Sequence, residues 1–530
     1  MINMSKQTWM TSKKKRVLSA IICVTALLNA CGEMKSSDTI PSEKSNKDLS
    51  ESPTKPNFVF IFADDQSPFA VGAYGNEVVK TPNIDNLAQR GVKFTNAYNM
   101  GAWNGAVCMA SRAMLNTGLS VWNAYDVDTK IRAGKAYDAT WSMMLENAGY
   151  DTYMTGKWHV AAPAKDVFSR VKHVRPGMPN DGWEHATQVA KFEAFYAGKS
   201  EAKDWREFMP IGYNRPINEN DDTWSPTDPK HGGFWEGGKH WSEVVADDAI
   251  EFVEQTKNSD KPFFMYLAFN APHDPRQAPQ SYIDMYALSD IPMPKNFLPM
   301  YPDKDLMGNG PDLRDAALAP FPRTEYATKV NLQEYYALIT HLDDQVGKIV
   351  NALESAGLME NTYIVYTADH GLAVGEHGLF GKQNMYEHSV RTPFIFLGPN
   401  IPKNKTAIVD IYLQDVMATA LDVADIAKPE NVFFNSVKDI ATGERNESYY
   451  SSIYGAYIDS QRMIKKDGYK LIVYPKAKKL KLFHLATDPL EANDLSESPE
   501  QATRVKSLFS ALLTLQNEMQ DPLDISALAP

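Results

Sequence analysis

Four continuous apolar runs most constrain what this 530-residue chain can fold into. The first run is Asn57–Ala63, and the other three are 262–269, Thr362–Ala368 and 392–397. Short runs without polar alternation are typical of strands that are buried on both faces of a parallel sheet. The sequence therefore predicts a central sheet whose two faces are both covered.

Segments with helical periodicity lie between these apolar runs. They are 83–90, 139–147, 247–256, Glu325–Ser355 and 415–424. Apolar strands that alternate with helices favour the α/β class, with a mostly parallel central sheet sandwiched by helices.

Polar side chains follow three of the predicted strands. Asp64 and Asp65 follow the first strand, His273 follows the second, and Asp369 and His370 follow the third. Ligands of such sheets bind beyond the carboxyl ends of the strands. We therefore expect these side chains to meet at one edge of the sheet, although they are far apart in the sequence.

The pattern changes after about residue 440. Short alternating strands are predicted at 457–465, 469–474 and 481–485, followed by a helix over 499–516. We assign residues 56–440 to a catalytic domain and residues 441–530 to a smaller C-terminal subdomain with an antiparallel sheet and a helix.

The first 31 residues have the pattern of a targeting segment. A basic start is followed by an apolar run, 17–28, that is too short to span a bilayer. The next residues, Leu28-Asn29-Ala30-Cys31, resemble a bacterial lipobox, in which Cys31 becomes the lipidated first residue. We expect an exported protein that is lipid-anchored to a bacterial membrane, on the periplasmic side or the outer-membrane surface. The alternative is an ordinary signal peptide.

Residues 32–55 are too polar to bury much surface, and we expect them to form a flexible tether. The formal net charge of the chain is −12, and removal of the basic leader would make it more negative. An acidic chain argues against nucleic acid as a partner. It also means that an anionic substrate needs a local basic pocket.

Cys108 is unusual because the folded body contains no other cysteine. The chain has three cysteines, and the other two lie within the first 31 residues. Cys108 therefore has no disulfide partner in the body, which leaves inert packing or chemistry as its role.

The residues around Cys108 resemble the signature of the type I sulfatases, which is Cys-x-Pro/Ala-Ser-Arg followed by a helix that ends in Thr-Gly. Here the sequence runs from Cys108-Met-Ala-Ser-Arg112 to Thr117-Gly118, with Asn116 and Leu119 where Leu and Arg are usual. The resemblance implies an alkaline-phosphatase-like sulfatase fold. It also implies that a formylglycine-generating maturase oxidises Cys108 to formylglycine, whose hydrated form supplies the nucleophilic oxygen.

By the same resemblance, a divalent cation binds Asp64, Asp65, Asp369, His370 and an oxygen of the formylglycine at Cys108. Three carboxylates without a thiolate fit Ca²⁺ or Mg²⁺ better than Zn²⁺. The resemblance implies Ca²⁺ rather than Mg²⁺. An Asp-Asp pair without these companions is more often a solvated loop or a helix cap.

The resemblance also assigns five catalytic residues besides Cys108. Arg112 holds the diol and the metal-bound carboxylates, Lys157 binds a sulfate oxygen, and His159 takes a proton from the formylglycine as sulfate leaves. We assign His273 as the acid that protonates the leaving oxygen and Lys382 as a clamp on the sulfate, a division that the sequence leaves open. For His377 and His388 we prefer hydrogen-bonding or substrate-facing roles.

Two irregular stretches, 166–241 and 275–322, are long enough to carry function. The first holds five of the ten tryptophans, which suit either sugar stacking or packing of the insertion. The basic run 476–481 fits either polyanion binding or a solvated strand edge. We expect the substrate to be a sulfated polysaccharide, either algal (such as ulvan or carrageenan) or a glycosaminoglycan. The alternatives are a phosphodiesterase or phosphonate monoester hydrolase of the same fold, and a non-catalytic glycan-binding lipoprotein.

Overall fold

The computed structural model describes residues 55–135, 140–175, 185–209, 215–229, 235–236, 238–310, 313–319 and 321–530. The predicted leader with Cys31 and nearly all of the tether therefore lie outside the described residues. Within the part of the chain that is described, no helix combines the length and the apolar character needed to cross a membrane.

An eight-stranded sheet forms the centre of the molecule, in the order β11-β2-β10-β9-β1-β8-β4-β5. β10 runs antiparallel to both of its neighbours, and all other pairings in this sheet are parallel. The expected mostly parallel sheet is confirmed. Its strands are β1 (Asn57–Ala63), β2 (Val92–Tyr98), β4 (Asp151–Lys157), β5 (Arg170–Arg175), β8 (Phe263–Ala268), β9 (Thr362–Ala368), β10 (Arg391–Leu397) and β11 (Lys405–Tyr412).

A second sheet of five strands has the order β15-β14-β13-β12-β3. Its four C-terminal strands pair antiparallel, which was predicted, but only three strands were expected there. The stretch 457–465, predicted as one strand, contains the turn between β12 and β13. β3 from the N-terminal part joins in parallel beside β12. These strands are β3 (Gly101–Ala102), β12 (Ile453–Tyr457), β13 (Gln461–Lys466), β14 (Tyr469–Tyr474) and β15 (Lys479–His484). A two-stranded ribbon consists of β6 (Trp235–Glu236) and β7 (Lys239–His240). The domain limits at 56–440 and 441–530 stay predictions.

Thirteen α-helices are found among the described residues. Two large apolar clusters, one on each face of the eight-stranded sheet, unite strand side chains with helix side chains. The helices are α1 (Pro82–Arg90), α2 (Val107–Thr117), α3 (Val121–Arg132), α4 (Trp141–Asn147), α5 (Ala164–Val167), α6 (His185–Tyr196), α7 (Trp241–Thr256), α8 (Gln280–Ile283), α9 (Glu325–Ser355), α10 (Glu387–Val390), α11 (Asp415–Val423), α12 (Lys438–Thr442) and α13 (Ala502–Glu518).

The strand register determines where the site lies. Ala63 at the end of β1 pairs with Ala368 at the end of β9. On the other side of β1, Phe62 pairs with Ala268 of β8, which in turn pairs with Gly156 of β4. The residues that follow β1, β9 and β8, together with the end of β4, therefore meet at one edge of the sheet, as the sequence predicted.

Candidate active site

Cys108 lies in the first turn of α2, which begins at Val107. Val107 and Ala110 of this helix are buried in the cluster beneath the second sheet. Cys108 is 2% exposed. Its Sγ lies 3.4 Å from Oδ1 of Asp65, and burial together with the nearby carboxylates raises the pKa of the thiol well above its usual value.

Three buried carboxylates surround this end of α2. Asp64 and Asp65 follow β1 directly, and Asp369 follows β9. The backbone N–H of Asp65 donates to Oδ1 of Asp369 over 3.1 Å, and Asp65 itself has a φ of 66°. A non-glycine residue in this conformation is strained, and such strain concentrates at functional sites. Burial, opposed by Lys382, raises the pKa of Asp65 to about 8, and burial together with Asp369 raises that of Asp64.

Two lysines point at these carboxylates from different elements. The ammonium of Lys157, the last residue of β4, contacts Oδ2 of Asp64. Nζ of Lys382 lies 2.5 Å from Oδ2 of Asp65. Burial lowers the pKa of Lys382, but the charge of Asp65 outweighs it and the pKa is raised well above its usual value. Both lysines are almost fully buried beside an acidic cluster.

Gly156 explains why Lys157 reaches the site. Its φ is +91°, and a Cβ at this position would lie only 1.9 Å from the carbonyl oxygen of Ala268. The register between β4 and β5 also shifts here. Only glycine allows β4 to approach β8 this closely, and the shift presents the next side chain to the edge of the sheet.

Arg112 lies one helical turn after Cys108 and is fully buried. Its Nε donates to Oδ2 of Asp369 over 2.9 Å, and its Nη1 donates to the carbonyl oxygen of Lys157 over 2.8 Å. The guanidinium also lies 4.6 Å from the ring centroid of Phe62. Burial alone would raise the pKa of Asp369, but Arg112 lowers it below its usual value. Arg112 therefore fixes an ionised carboxylate and ties β4 to α2.

Three predicted histidines lie around the same cluster. Burial lowers the pKa of His159 and His273 well below the usual value, and that of His370 to about 3. His273 has its Nδ1 2.7 Å from the carbonyl oxygen of Asp274 and its Nε2 3.4 Å from Oδ2 of Asp65. Nδ1 therefore carries a proton, and Nε2 faces the carboxylates. His159 has a φ of 55°, and after burial the charge of Lys157 is the next cause that lowers its pKa.

The donor set fits a hard divalent cation. Ligand atoms of Asp64, Asp65, Cys108 and His273 lie within 4.8 Å of one another. Oδ1 of Asp64 and Nε2 of His370 have no hydrogen-bond partner among the described residues. Nδ1 of His370 lies 3.2 Å from the carbonyl oxygen of Gly371, so the Nε2 lone pair is available as a ligand. A cation would offset the mutual repulsion of the carboxylates. The roles assigned to the predicted ligands and catalytic residues stay predictions.

Sequence reasoning did not single out Arg314, Asp315 or Asn99. Nη2 of Arg314 lies 3.4 Å from Nε2 of His273, and Arg314 also donates to Asp315. Nδ2 of Asn99 donates to the carbonyl oxygen of Asp369 over 2.6 Å. The only signal for Arg314 and Asp315 was their place in the long irregular stretch 275–322, and the sequence offered no means of choosing among its residues.

The structure gives contacts for several residues whose roles the sequence left open, among them tryptophans of the stretch 166–241, two histidines and the basic run 476–481. Trp224 donates to Glu334 of α9, and it lies beneath the guanidinium of Arg215, so it packs the insertion onto the core. Trp241 is 8% exposed. Trp183 and the side chain of Trp235 lie outside the described part of the chain. His377 contacts the carbonyl oxygen of Leu490, and His388 contacts the carboxylate of Glu376. The basic run 476–481 overlaps β15 at the edge of the second sheet.

Comparison with known proteins identifies the family. The sulfatase family model matches residues 56–426, and the model for the C-terminal part of N-sulphoglucosamine sulphohydrolase matches residues 375–518. The chain is 31% identical over 489 residues to an arylsulfatase of Clostridium perfringens, covering 87% of this chain and 94% of the relative. It is 25% identical over 544 residues to an N-acetylglucosamine-6-O-sulfatase of Bacteroides thetaiotaomicron, covering 89% of this chain and 88% of the relative.

The fold matches as well. A solved structure described as a complex with its substrate D-glucosamine-2-N,6-O-disulfate superposes with a TM-score of 0.65 at 22% identity, covering 88% of this chain and 99% of the other. The family match spans the central sheet and every residue of the cluster around Cys108. The chain therefore belongs to the sulfatase family and is a sulfuric ester hydrolase.

Proposed function

We propose that this enzyme removes sulfate from a sulfated polysaccharide or its oligosaccharides, with a formylglycine derived from Cys108 and a bound Ca²⁺ ion. The observation that carries the proposal is the convergence of Cys108, within the sequence Cys-x-Ala-Ser-Arg, with three buried carboxylates and two buried lysines. The sulfatase relative that is named for N-acetylglucosamine supports a sugar substrate.

The chain's own residues would divide the work as follows. Asp64, Asp65, Asp369 and His370 would hold the cation together with an oxygen of the modified residue 108. When bound, the cation polarises the sulfate ester, and the formylglycine supplies the nucleophilic oxygen. Arg112 keeps Asp369 ionised and oriented through its 2.9 Å contact.

The lysines and histidines would act on the substrate itself. Lys157 and Lys382 bind sulfate oxygens, so the developing charge meets preorganised cations in a water-poor site. His273 protonates the departing sugar oxygen, and His159 takes a proton as sulfate leaves. Burial, with Lys382 and Lys157 next, lowers the pKa of His273 well below its usual value, so its acid role requires the anionic substrate to offset the charges of the two lysines.

The direct test compares sulfate and phosphate esters on one preparation. We expect the Ca²⁺-loaded enzyme to hydrolyse 4-nitrophenyl sulfate with a higher kcat/KM than 4-nitrophenyl phosphate, and to release sulfate from at least one algal or glycosaminoglycan oligosaccharide. Cys108→Ala, which lacks the residue to be oxidised, is the control and should release none. Faster turnover of the phosphate ester would favour a phosphohydrolase of this fold. Binding of sulfated glycans without any sulfate release would favour a non-catalytic lipoprotein.

We also propose export with lipidation at Cys31, which the leader pattern supports. Metabolic labelling with a fatty acid should mark the wild-type chain, and Cys31→Ala should abolish the label and release the enzyme from the membrane fraction. An unlabelled wild-type chain would contradict the anchor.

A further inference from the structure

A small cavity lies beside the candidate active site. It has a volume of about 170 Å³, and its walls include Tyr196, Trp205, Met300, Lys304 and Phe321. Pockets for whole drug-sized ligands usually measure about 300–1,000 Å³. The cavity therefore has room for about one ring of a larger ligand. Three of its wall residues are aromatic, which is the surface on which a sugar ring packs.

Arg314 connects this cavity to the reacting groups. Its Nη2 lies 3.4 Å from Nε2 of His273, the residue that faces the leaving oxygen in the proposed function. Ala316 and Ala317 line the cavity. Asp315, the residue before Ala316, accepts a hydrogen bond from Nε2 of Gln383 over 2.8 Å, and Gln383 directly follows Lys382 of the candidate site. The wall of the cavity therefore continues a segment that contacts the site.

The aromatic wall is held on this same segment. Phe192 and Met209, which flank the Tyr196 and Trp205 part of the insertion, pack with Ala317 and Leu318 in one buried cluster. Tyr196 itself is 56% exposed. The insertion thus rests on the Arg314 segment and offers an open aromatic face beside it.

A buried arginine lies behind two residues of the cavity wall, Phe321 and Ala316. The guanidinium of Arg323 stacks 3.7 Å from the ring centroid of Phe321, and its Nη1 donates to the carbonyl oxygen of Ala316 over 2.6 Å. Arg323 is 3% exposed, its Nη2 has no hydrogen-bond partner among the described residues, and no described carboxylate pairs with it. A buried cation without a counter-ion is costly unless an anion approaches it.

Lys304 adds a second positive charge at the cavity. Its Nζ lies 4.9 Å from the ring centroid of Phe321. Its carboxylate partner, Asp305, has a side chain that is 66% exposed. The side chain of Lys304 itself is only 14% exposed, whereas the partner carboxylate lies largely in solvent, which weakens the pair by screening.

We propose that this cavity is a subsite for a sulfate- or carboxylate-bearing sugar ring, next along the glycan to the sugar that loses its sulfate. This subsite rests on the proposed function, and it makes the enzyme one that prefers an oligosaccharide to a sulfated monosaccharide. The aromatic side chains supply the stacking face, and Lys304 and Arg323 supply the field that selects an anionic ring.

The test uses three probes. They are 4-nitrophenyl sulfate, the sulfated tetrasaccharide that releases sulfate fastest from a panel of algal and glycosaminoglycan oligosaccharides, and the matching sulfated monosaccharide. We expect kcat/KM for the tetrasaccharide to exceed that for the monosaccharide at least tenfold. Trp205→Ala should lower the ratio of tetrasaccharide to 4-nitrophenyl sulfate kcat/KM about tenfold or more, mainly through KM, since truncating a central aromatic anchor usually costs more than about 1 kcal/mol.

Matched variants separate the subsite from general damage. Tyr196→Ala, at an exposed position, should repeat the effect of Trp205→Ala if that variant proves unstable. Tyr449→Ala removes another exposed tyrosine, which stacks on Arg445, and should leave the ratio unchanged. Lys304→Gln should lower tetrasaccharide kcat/KM several-fold and weaken its salt dependence. Lys257→Gln, which removes a lysine paired with Glu254 at the surface, should do neither.

Two outcomes would overturn the subsite, and they are distinguishable. The subsite alone would be overturned by equal kcat/KM for the tetrasaccharide and the monosaccharide, if Trp205→Ala and Tyr196→Ala also leave two ratios unchanged. These are the ratio of tetrasaccharide to monosaccharide kcat/KM and the ratio of tetrasaccharide to 4-nitrophenyl sulfate kcat/KM. Hydrolysis of 4-nitrophenyl sulfate without sulfate release from any glycan of the panel would overturn the proposed substrate class, and the subsite with it.

Discussion

Two buried lysines should separate catalysis from stability when each is replaced by Met, which keeps an unbranched stem of similar length. Lys382 is 2% exposed and lies 2.5 Å from Oδ2 of Asp65, in the cluster around Cys108. Under the proposed function a bound Ca²⁺ ion would compensate Asp65, so Lys382→Met should change stability little in saturating Ca²⁺. Loss of one preorganised donor to the reacting group costs about 2.7–4 kcal/mol, so kcat/KM should fall about 10²- to 10³-fold.

Lys470 is the structural counterpart. Its Nζ lies 2.6 Å from Glu387 and 2.8 Å from Glu491, and it donates to the carbonyl oxygen of Met385 over 3.0 Å. The contact joins α10, the turn after β15 and β14. Removing this cation leaves the buried Glu491 without its cationic partner, whereas Glu387 keeps Arg391, at a cost of about 3–5 kcal/mol. With an unfolding entropy of about 2.1 cal/mol/K per residue, or about 1 kcal/mol/K for residues 56–530, the Tm should fall about 3–5 °C.

The assay pairs a thermal melt with kcat/KM on 4-nitrophenyl sulfate at 25 °C, both in saturating Ca²⁺. Lys470→Met should lower the Tm while keeping kcat/KM within about threefold. Lys382→Met should keep the Tm within about 2 °C of the wild-type value, while kcat/KM falls about 10²- to 10³-fold. If Lys382→Met keeps wild-type kcat/KM, or if Lys470→Met loses activity without losing stability, the assignment of these two lysines is refuted.

Three further predictions concern the acid, the cation and the glycine of β4. His273→Gln should lower kcat/KM for a sugar sulfate about 10²- to 10⁴-fold. The loss of kcat/KM for 4-nitrophenyl sulfate should be far smaller, because nitrophenolate leaves without protonation. Equal losses on both esters would argue against the acid role. Chelation of divalent cations should abolish activity, and Ca²⁺ should restore it better than Mg²⁺. Asp64→Asn should raise the Ca²⁺ concentration needed to restore activity. A chelated enzyme that stays active would exclude the cation. Gly156→Ala should reduce both Tm and kcat/KM because its Cβ would collide with Ala268. The control is Gly149→Ala, where φ is +97° but no atom lies within 4 Å of the added Cβ, so it should cost only the backbone strain of about 1–3 kcal/mol. Similar behaviour of the two variants would remove the packing explanation.

The parts of the fold that the sequence predicted best are those whose pattern is local and complete. Asn57–Ala63, Thr362–Ala368 and Glu325–Ser355 were predicted with the bounds observed, because full burial of a strand or one apolar stripe on a long helix is written into consecutive residues. β2 and β11 were missed because their exposed faces carry polar side chains, such as Lys93 and Asp410, which break up the apolar run.

The direction of β10 and the residues beside His273 depend on contacts that no local pattern encodes. β10 runs antiparallel because the chain returns through α10 at the carboxyl edge of β9, so the strand must start where β9 ends. Arg314 reaches His273 only through the path of a long irregular segment. By contrast, Asp64, Asp369 and His273 could be placed together in advance, since carboxyl ends of neighbouring parallel strands share one edge.

The most direct test of the central claim is the mass of the tryptic peptide 94–112, which contains Cys108, from enzyme purified from its native host. Conversion of CH₂SH to CHO should place this peptide about 18 Da below its thiol form, and the converted fraction should scale with kcat for 4-nitrophenyl sulfate across preparations. A fully active enzyme whose peptide carries only the unmodified thiol would contradict the account.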